Sequence, residues 1–184
     1  NGSRRLLGDR REKGEPGASF TQVNPEVATT LEAFVVDAVM SRAPGTVVDA
    51  YAGSGDVAVA LAARGVRVIA IELDSEASAW AASRLPPGSR AVTARVEDAL
   101  RNTLPADVVI LNPPRTGVDA RVTTALSTAA LAPRAIVYVS CDPATLARDL
   151  SRLPGWEIAR VTAFDMFPQT AHVETVVELV PGNA

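Results

Sequence analysis

The chain almost lacks three residue types: Cys141, His172 and Lys13 are each the only one of their kind. A single cysteine cannot close an internal disulfide. With one histidine beside it, it cannot supply the ligand set of a zinc or iron–sulfur site, so no protein-bound metal centre is expected. No uninterrupted apolar run approaches the roughly 18 residues that a membrane-spanning helix requires. The polar start NGSRRLLGDRREKGEPG has no signal-peptide core. These absences predict a cytoplasmic protein with no membrane partner. A net charge of −3 also argues against binding nucleic acid through bulk electrostatics alone.

The 184 residues are 47% hydrophobic and 21% charged, the balance of one soluble domain with a full core. Residues 1–15 carry Arg4, Arg5, Arg10, Arg11 and Lys13 against Asp9, Glu12 and Glu15. This basic stretch reads as a flexible, solvated stub over residues 1–17, or as the remnant of a preceding domain. Residues 18–184 form the expected domain. Nearly all bases are arginine, which suits bidentate phosphate contacts without requiring them.

From residue 20 onward, short β-branched runs alternate with longer Ala-rich stretches, the pattern of an α/β sheet. Asn24-Pro25 reads as a helix start, and Ala43-Pro44-Gly45 stops that helix after about Arg42. Strands are expected at Val47–Tyr51, Val66–Glu72, Ala91–Ala94, Val108–Asn112 and Ile136–Ser140, with helix-length segments between them. Those five should be parallel. The runs Ile158–Phe164 and Val173–Val180 lie only a loop apart, too close for a crossover helix, and predict an antiparallel hairpin at one sheet edge. A mostly parallel seven-stranded Rossmann-like sheet of this kind resembles class I S-adenosylmethionine-dependent methyltransferases. Fold alone does not assign chemistry.

Four stretches carry candidate chemistry. DAYAGSGD, residues 49–56, joins the first strand to a helix; Gly53 and Gly55 allow a tight turn and close approach of a ligand to helix N-terminal amides. Alone, such a turn can be a mere connector. Glu72 ends the second strand, 23 residues after Asp49, where a carboxylate can accept from both ribose hydroxyls of a nucleoside. It can equally be a solvated strand end. Of Glu97 and Asp98, one is expected to cap a helix and the other to meet an adenine amino group.

The turn NPPRTG after the fourth strand is rigid and poor in amide donors, so its carbonyls and the Asn112 amide can grip a planar base. Enzymes that methylate exocyclic amines share Asn-Pro-Pro but place an aromatic residue next, where this chain has Arg115. That arginine suits a phosphate or a neighbouring acid. In SCDPATLARDL, Cys141 precedes a helix begun by Asp142-Pro143, so helix amides favour its thiolate while Asp142 opposes it. In DMFPQTAHVETV, Glu174 starts the last strand on the same face as His172, and by itself reads as an exposed acid of an edge strand.

Together, SCDPATLARDL and DMFPQTAHVETV closely resemble the RNA (uracil-5-)-methyltransferases, which form 5-methyluridine in transfer and ribosomal RNA; the likeness covers residues 18–180. The resemblance implies a methyltransferase catalytic domain that uses S-adenosyl-L-methionine and acts on tRNA or rRNA. It implies Cys141 as nucleophile and Glu174 as proton acceptor. It further implies that Gln22, Tyr51, Asp56, Glu72, Asp98 and Asn112 contact the cofactor or the target base. Most members have aspartate in place of Asn112, an isosteric change that removes a charge and adds a donor. Two other readings stay open: methylation of a nucleobase amino group through Asn112-Pro113-Pro114, and a cofactor-binding fragment without turnover.

Overall fold

A computed structural model describes residues 25–128, 130–165 and 173–182. Among these residues the helices and strands follow one another in a regular order. They are α1 (Pro25–Met40), β1 (Thr46–Ala50), α2 (Asp56–Ala63), β2 (Arg67–Glu72), α3 (Ser75–Arg84), β3 (Arg90–Thr93) and α4 (Val96–Ala99), which continues as a short 3-10 turn over Leu100–Asn102. Then come β4 (Val108–Leu111), α5 (Ala120–Leu126), β5 (Ala135–Ser140), α6 (Pro143–Leu150), β6 (Trp156–Phe164) and β7 (Glu174–Pro181).

The strands make one seven-stranded sheet in the order β3-β2-β1-β4-β5-β7-β6. β1 to β5 pair in parallel, as their near-continuous apolar runs require: VVIL in β4 and AIVYVS in β5 are buried throughout. Alternation along each strand divides the core in two. Val47, Val108, Ile110 and Val137 face Leu31, Val35 and Val39 of α1 and Leu61 of α2, while Val48, Val109, Leu111 and Tyr138 face Val122 and Leu126 of α5 and Leu146 of α6.

The C-terminal pair is antiparallel, as expected, but the later strand is the inner one. β7 inserts between β5 and β6, pairing antiparallel with both, and leaves β6 at the edge. β1 lies between β2 and β4, so the winding of the chain reverses there. In open α/β sheets, ligands bind at the carboxyl ends of strands flanking such a reversal. The 49–56 and 112–117 turns both leave the sheet at that point.

Side chains fix the helix starts that frame this end. Asp74 caps α3 by accepting from the Glu76 and Ala77 amides, both at 2.9 Å; Asp119 accepts from Arg121 N at 2.8 Å, and Asp142 from Thr145 N at 2.7 Å. No helix among the described residues is long and apolar enough to cross a membrane.

Candidate active site

A cleft of about 1220 Å3 opens at the carboxyl end of the sheet. Tyr51, Asp56, Glu72, Asn112, Cys141 and Glu174 all line it, as do Asp49, Glu97 and Arg115. Gln22 and His172 lie outside the described residues. The cleft has two chemically different halves.

The half formed by β1 and β2 is rich in carboxylates. After β1 the backbone turns left-handed at Tyr51, with φ 63°, so Tyr51 belongs to the turn and not to the strand as expected. Burial, aided by Glu97 and Asp119, raises its phenol pKa. Gly55 starts α2 at φ 81°, and a Cβ there would lie 2.6 Å from the Ala81 Cβ, so the turn can press against α3 only as glycine. Glu72 ties the loop together: its Oε2 accepts from Gly53 N and its Oε1 from Asp74 N, both at 2.8 Å. Each oxygen keeps a lone pair for a ligand. Asp56 lines the cleft but is engaged, ion-paired with Arg84 at 2.7 Å and accepting from the Ser54 hydroxyl.

Asp49, an acid in an otherwise mostly apolar strand, also belongs to this half. It is 3% exposed, and its Oδ2 has no hydrogen-bond partner. Burial, with Glu72 and Asp56 adding to it, pushes its carboxyl up to about 7.

Of the two acids Glu97 and Asp98, Asp98 being the one assigned to the cofactor, the cleft wall contains the other. Glu97 lines the cleft, whereas Asp98 does not; it is exposed and ion-paired with Arg121 at 2.7 Å. Neither residue caps a helix, since Arg95 occupies the N-cap of α4 without a side-chain bond. Consecutive helical residues point about 100° apart, and a single turn is too short for apolar spacing to show which acid turns inward.

The second half joins three segments distant in sequence. Cys141 follows β5, Glu174 opens β7, and Arg115 stands in the turn after β4. Ser140 pairs with Thr175 in the antiparallel ladder, which makes Cys141 and Glu174 the next facing positions. Because β7 is an inner strand, Glu174 is only 5% exposed, not the solvated edge acid its position suggested. Burial raises its carboxyl pKa, and Arg115 draws it back down.

Helix amides do not give Cys141 a depressed pKa. Asp142 takes the Thr145 amide at the start of α6, while burial and then the charge of Glu174 push the thiol up. The Arg115 guanidinium, on the same cleft wall, pulls in the other direction. Of the two partners expected for Arg115, a phosphate or an acid, an acid lies near enough to be felt, since the Arg115 charge acts on Glu174. No cluster of three or more His, Cys, Asp or Glu side chains able to hold a metal occurs among the described residues.

The family model for tRNA (uracil-5-)-methyltransferase matches residues 88–181, more than half of the chain and the whole of the cysteine-bearing side of the cleft. The chain belongs to this family. The tRNA (uracil-5-)-methyltransferases are S-adenosylmethionine-dependent enzymes, and three relatives illustrate the likeness. An uncharacterized RNA methyltransferase of Thermotoga maritima is 40% identical over 91% of this chain and 39% of its own length. The 23S rRNA (uracil(747)-C(5))-methyltransferase RlmC of Vibrio vulnificus is 36% identical over 88% of this chain and 44% of its own. The crystal structure of the Pyrococcus abyssi tRNA (uracil-54, C5)-methyltransferase in complex with S-adenosyl-L-homocysteine superposes with a TM-score of 0.75 at 32% identity. That match covers 88% of this chain and 40% of the other. The chain thus spans about two fifths of the length of these uracil-5-methyltransferase relatives.

Proposed function

We propose that this chain methylates carbon 5 of a uridine in RNA, with Cys141 as nucleophile and Glu174 as general base. The observation that carries the reading is the convergence of Cys141, Glu174 and Arg115 on one wall of a cleft whose opposite wall is acidic.

The acidic wall fits S-adenosylmethionine, which carries a sulfonium and an ammonium against one carboxylate. A buried Asp49 oxygen without a partner, beside Glu72 and Asp56, is the donor set expected to face a cation. Glu72, Tyr51, Asn112, Asp56 and Glu97 line the space that would hold this group, with Gln22 assigned to it by family resemblance. When bound, it supplies an electrophilic methyl.

Carbon 5 of uracil is too weak a nucleophile to take that methyl unaided. Cys141 gives its proton to solvent and its sulfur adds to carbon 6, and the ring becomes an enolate with its electron pair at carbon 5, while Glu174 stays unprotonated. Arg115 favours the thiolate that this addition requires. Once carbon 5 has formed its new bond to the methyl carbon, Glu174 removes the original hydrogen from carbon 5. The electron pair left behind re-forms the 5,6 double bond and expels the Cys141 thiolate. Asn112 can accept from N3–H and donate to O4 of the ring, a pairing that favours uracil. A target stacked in folded RNA must first swing out of its stack into the cleft.

The test is to incubate the protein and S-adenosylmethionine with RNA containing 5-fluorouridine, then resolve the products on a denaturing gel. Fluorine cannot leave carbon 5 as a cation, so a covalent protein–RNA band is expected, absent in Cys141→Ala. Methyl transfer to ordinary RNA by Cys141→Ala would instead establish the amino-group chemistry. Cofactor binding with neither adduct nor turnover would establish the non-catalytic reading.

A further inference from the structure

The turn that carries Arg115 is held to α6 through one buried acid. Asp149 has no solvent exposure, although the face of α6 on which it lies also carries buried Leu146. A carboxylate is retained in such a place only where protein donors replace water. Its Oδ2 accepts from the Val118 amide at 2.9 Å and the Tyr138 hydroxyl at 2.7 Å. Its Oδ1 accepts from Arg148 Nε and Nη2 at 3.0 and 2.8 Å.

These donors do more than satisfy the acid. Arg148 Nη2 also donates to the Thr116 carbonyl at 2.7 Å, and the Thr145 hydroxyl to the Arg115 carbonyl at 3.1 Å. Between them sits Gly117, at φ 75°, where a Cβ would fall 2.2 Å from Asp149 Oδ2 and 2.4 Å from Arg148 Nη2. The backbone from Arg115 to Val118 is therefore gripped at three consecutive carbonyl or amide positions around a glycine with no spare room. The same acid reaches β5 through Tyr138, three residues before Cys141.

We infer that Asp149 is a positioning residue: by clamping the 115–118 backbone onto α6 and β5, it holds the turn that carries Arg115 at the cleft wall where Cys141 lies. The inference rests on Cys141 as the proposed nucleophile and adds the means by which its environment is set. An apolar side chain would pack this face of α6 equally well; only an acceptor can gather the Val118, Tyr138 and Arg148 donors at one point.

Cys141 is the sole cysteine, so alkylation by iodoacetamide reads its thiolate without background. The pH profile of alkylation is to be measured for the wild-type chain, Asp149→Asn, Arg115→Ala and the double variant. Asp149→Asn should move the profile to higher pH and slow alkylation about threefold near neutral pH, through loss of a charge-assisted contact to the thiolate. Circular dichroism and S-adenosylhomocysteine affinity should stay as in wild type. In the Arg115→Ala background Asp149→Asn should add nothing, because the effect passes through that arginine. An unshifted Asp149→Asn profile, or full additivity in the double variant, overturns the inference. Should Asp149→Asn fail to fold, Thr145→Val removes the hydroxyl tie to the Arg115 carbonyl, and a shift in the same direction is required of it. Alkylation needs no RNA: a missing 5-fluorouridine adduct with the expected alkylation shifts would overturn the nucleophile assignment alone.

Discussion

Cys141 and Glu174 face each other one step beyond the Ser140–Thr175 pair of the β5–β7 ladder, although 32 residues separate them in the chain. Each resists ionisation for the same first reason, burial, and the charge of Glu174 raises the thiol further. Arg115 acts on both in the opposite sense. Three groups thus share one electrostatic balance, in which Glu174 disfavours the thiolate and Arg115 favours both anions.

Glu174→Gln removes the negative charge and should therefore lower the Cys141 thiol pKa, moving the alkylation profile to lower pH. The same variant should stall after methylation, since no base remains to take the carbon 5 hydrogen. Mass spectrometry of the trapped complex should show methylated RNA bonded to protein; rapid release of 5-methyluridine would refute the assigned role.

Asp49 should make stability depend on pH. Its carboxyl lies at about 7 in the folded chain against 3.8 for the free side chain, so the folded state keeps a proton that the unfolded chain gives up between those values. The associated stability is complete below the unfolded value and is lost as pH rises through about 7. Asp49→Asn should raise Tm relative to wild type more at alkaline than at acidic pH. Differential scanning calorimetry on both sides of neutrality checks the sign.

Glu72→Ala removes two charge-assisted bonds that close the Gly53 turn, and with them an acceptor facing the cleft. The Kd for S-adenosylhomocysteine should rise by about tenfold or more, from the loss of at least one bond of this class. Isothermal titration calorimetry measures it. Glu97→Gln should weaken binding more than Asp98→Asn, because only Glu97 reaches the cleft.

Gly117→Ala combines a left-handed backbone with a Cβ inside contact distance of Asp149, Arg148 and Thr145. The cost should be about 2–4 kcal/mol in a urea titration, from strain and overpacking together. A change below about 1 kcal/mol would mean that the turn can move away from α6.

The parallel strands could be read from the chain most directly at β4 and β5, which are buried throughout and therefore almost wholly apolar. The expected boundaries shifted by a residue or two where the backbone, not the side chain, ends the element: Tyr51 leaves β1 by adopting φ 63°, and α1 stops at Met40, ahead of Ala43 at φ 47°. The cysteine and the glutamate were recognisable only inside their long motifs, since neither residue type announces itself alone. Asp149 left one faint trace, an acid on the apolar stripe of a helix.

Local patterning was enough to determine the α/β class, the hairpin and the turns at which chemistry could gather, since periodicity and turn residues act over a few positions. Tertiary structure alone decided that β7 lies inside the sheet and so buries Glu174, and that Glu97 faces the cleft while Asp98 does not. It also decided that the Cys141 thiol is pushed up and not down. Burial and charge act through space: Glu174, which raises the thiol, and Arg115, which opposes it, come near Cys141 only when β4, β5 and β7 are placed side by side.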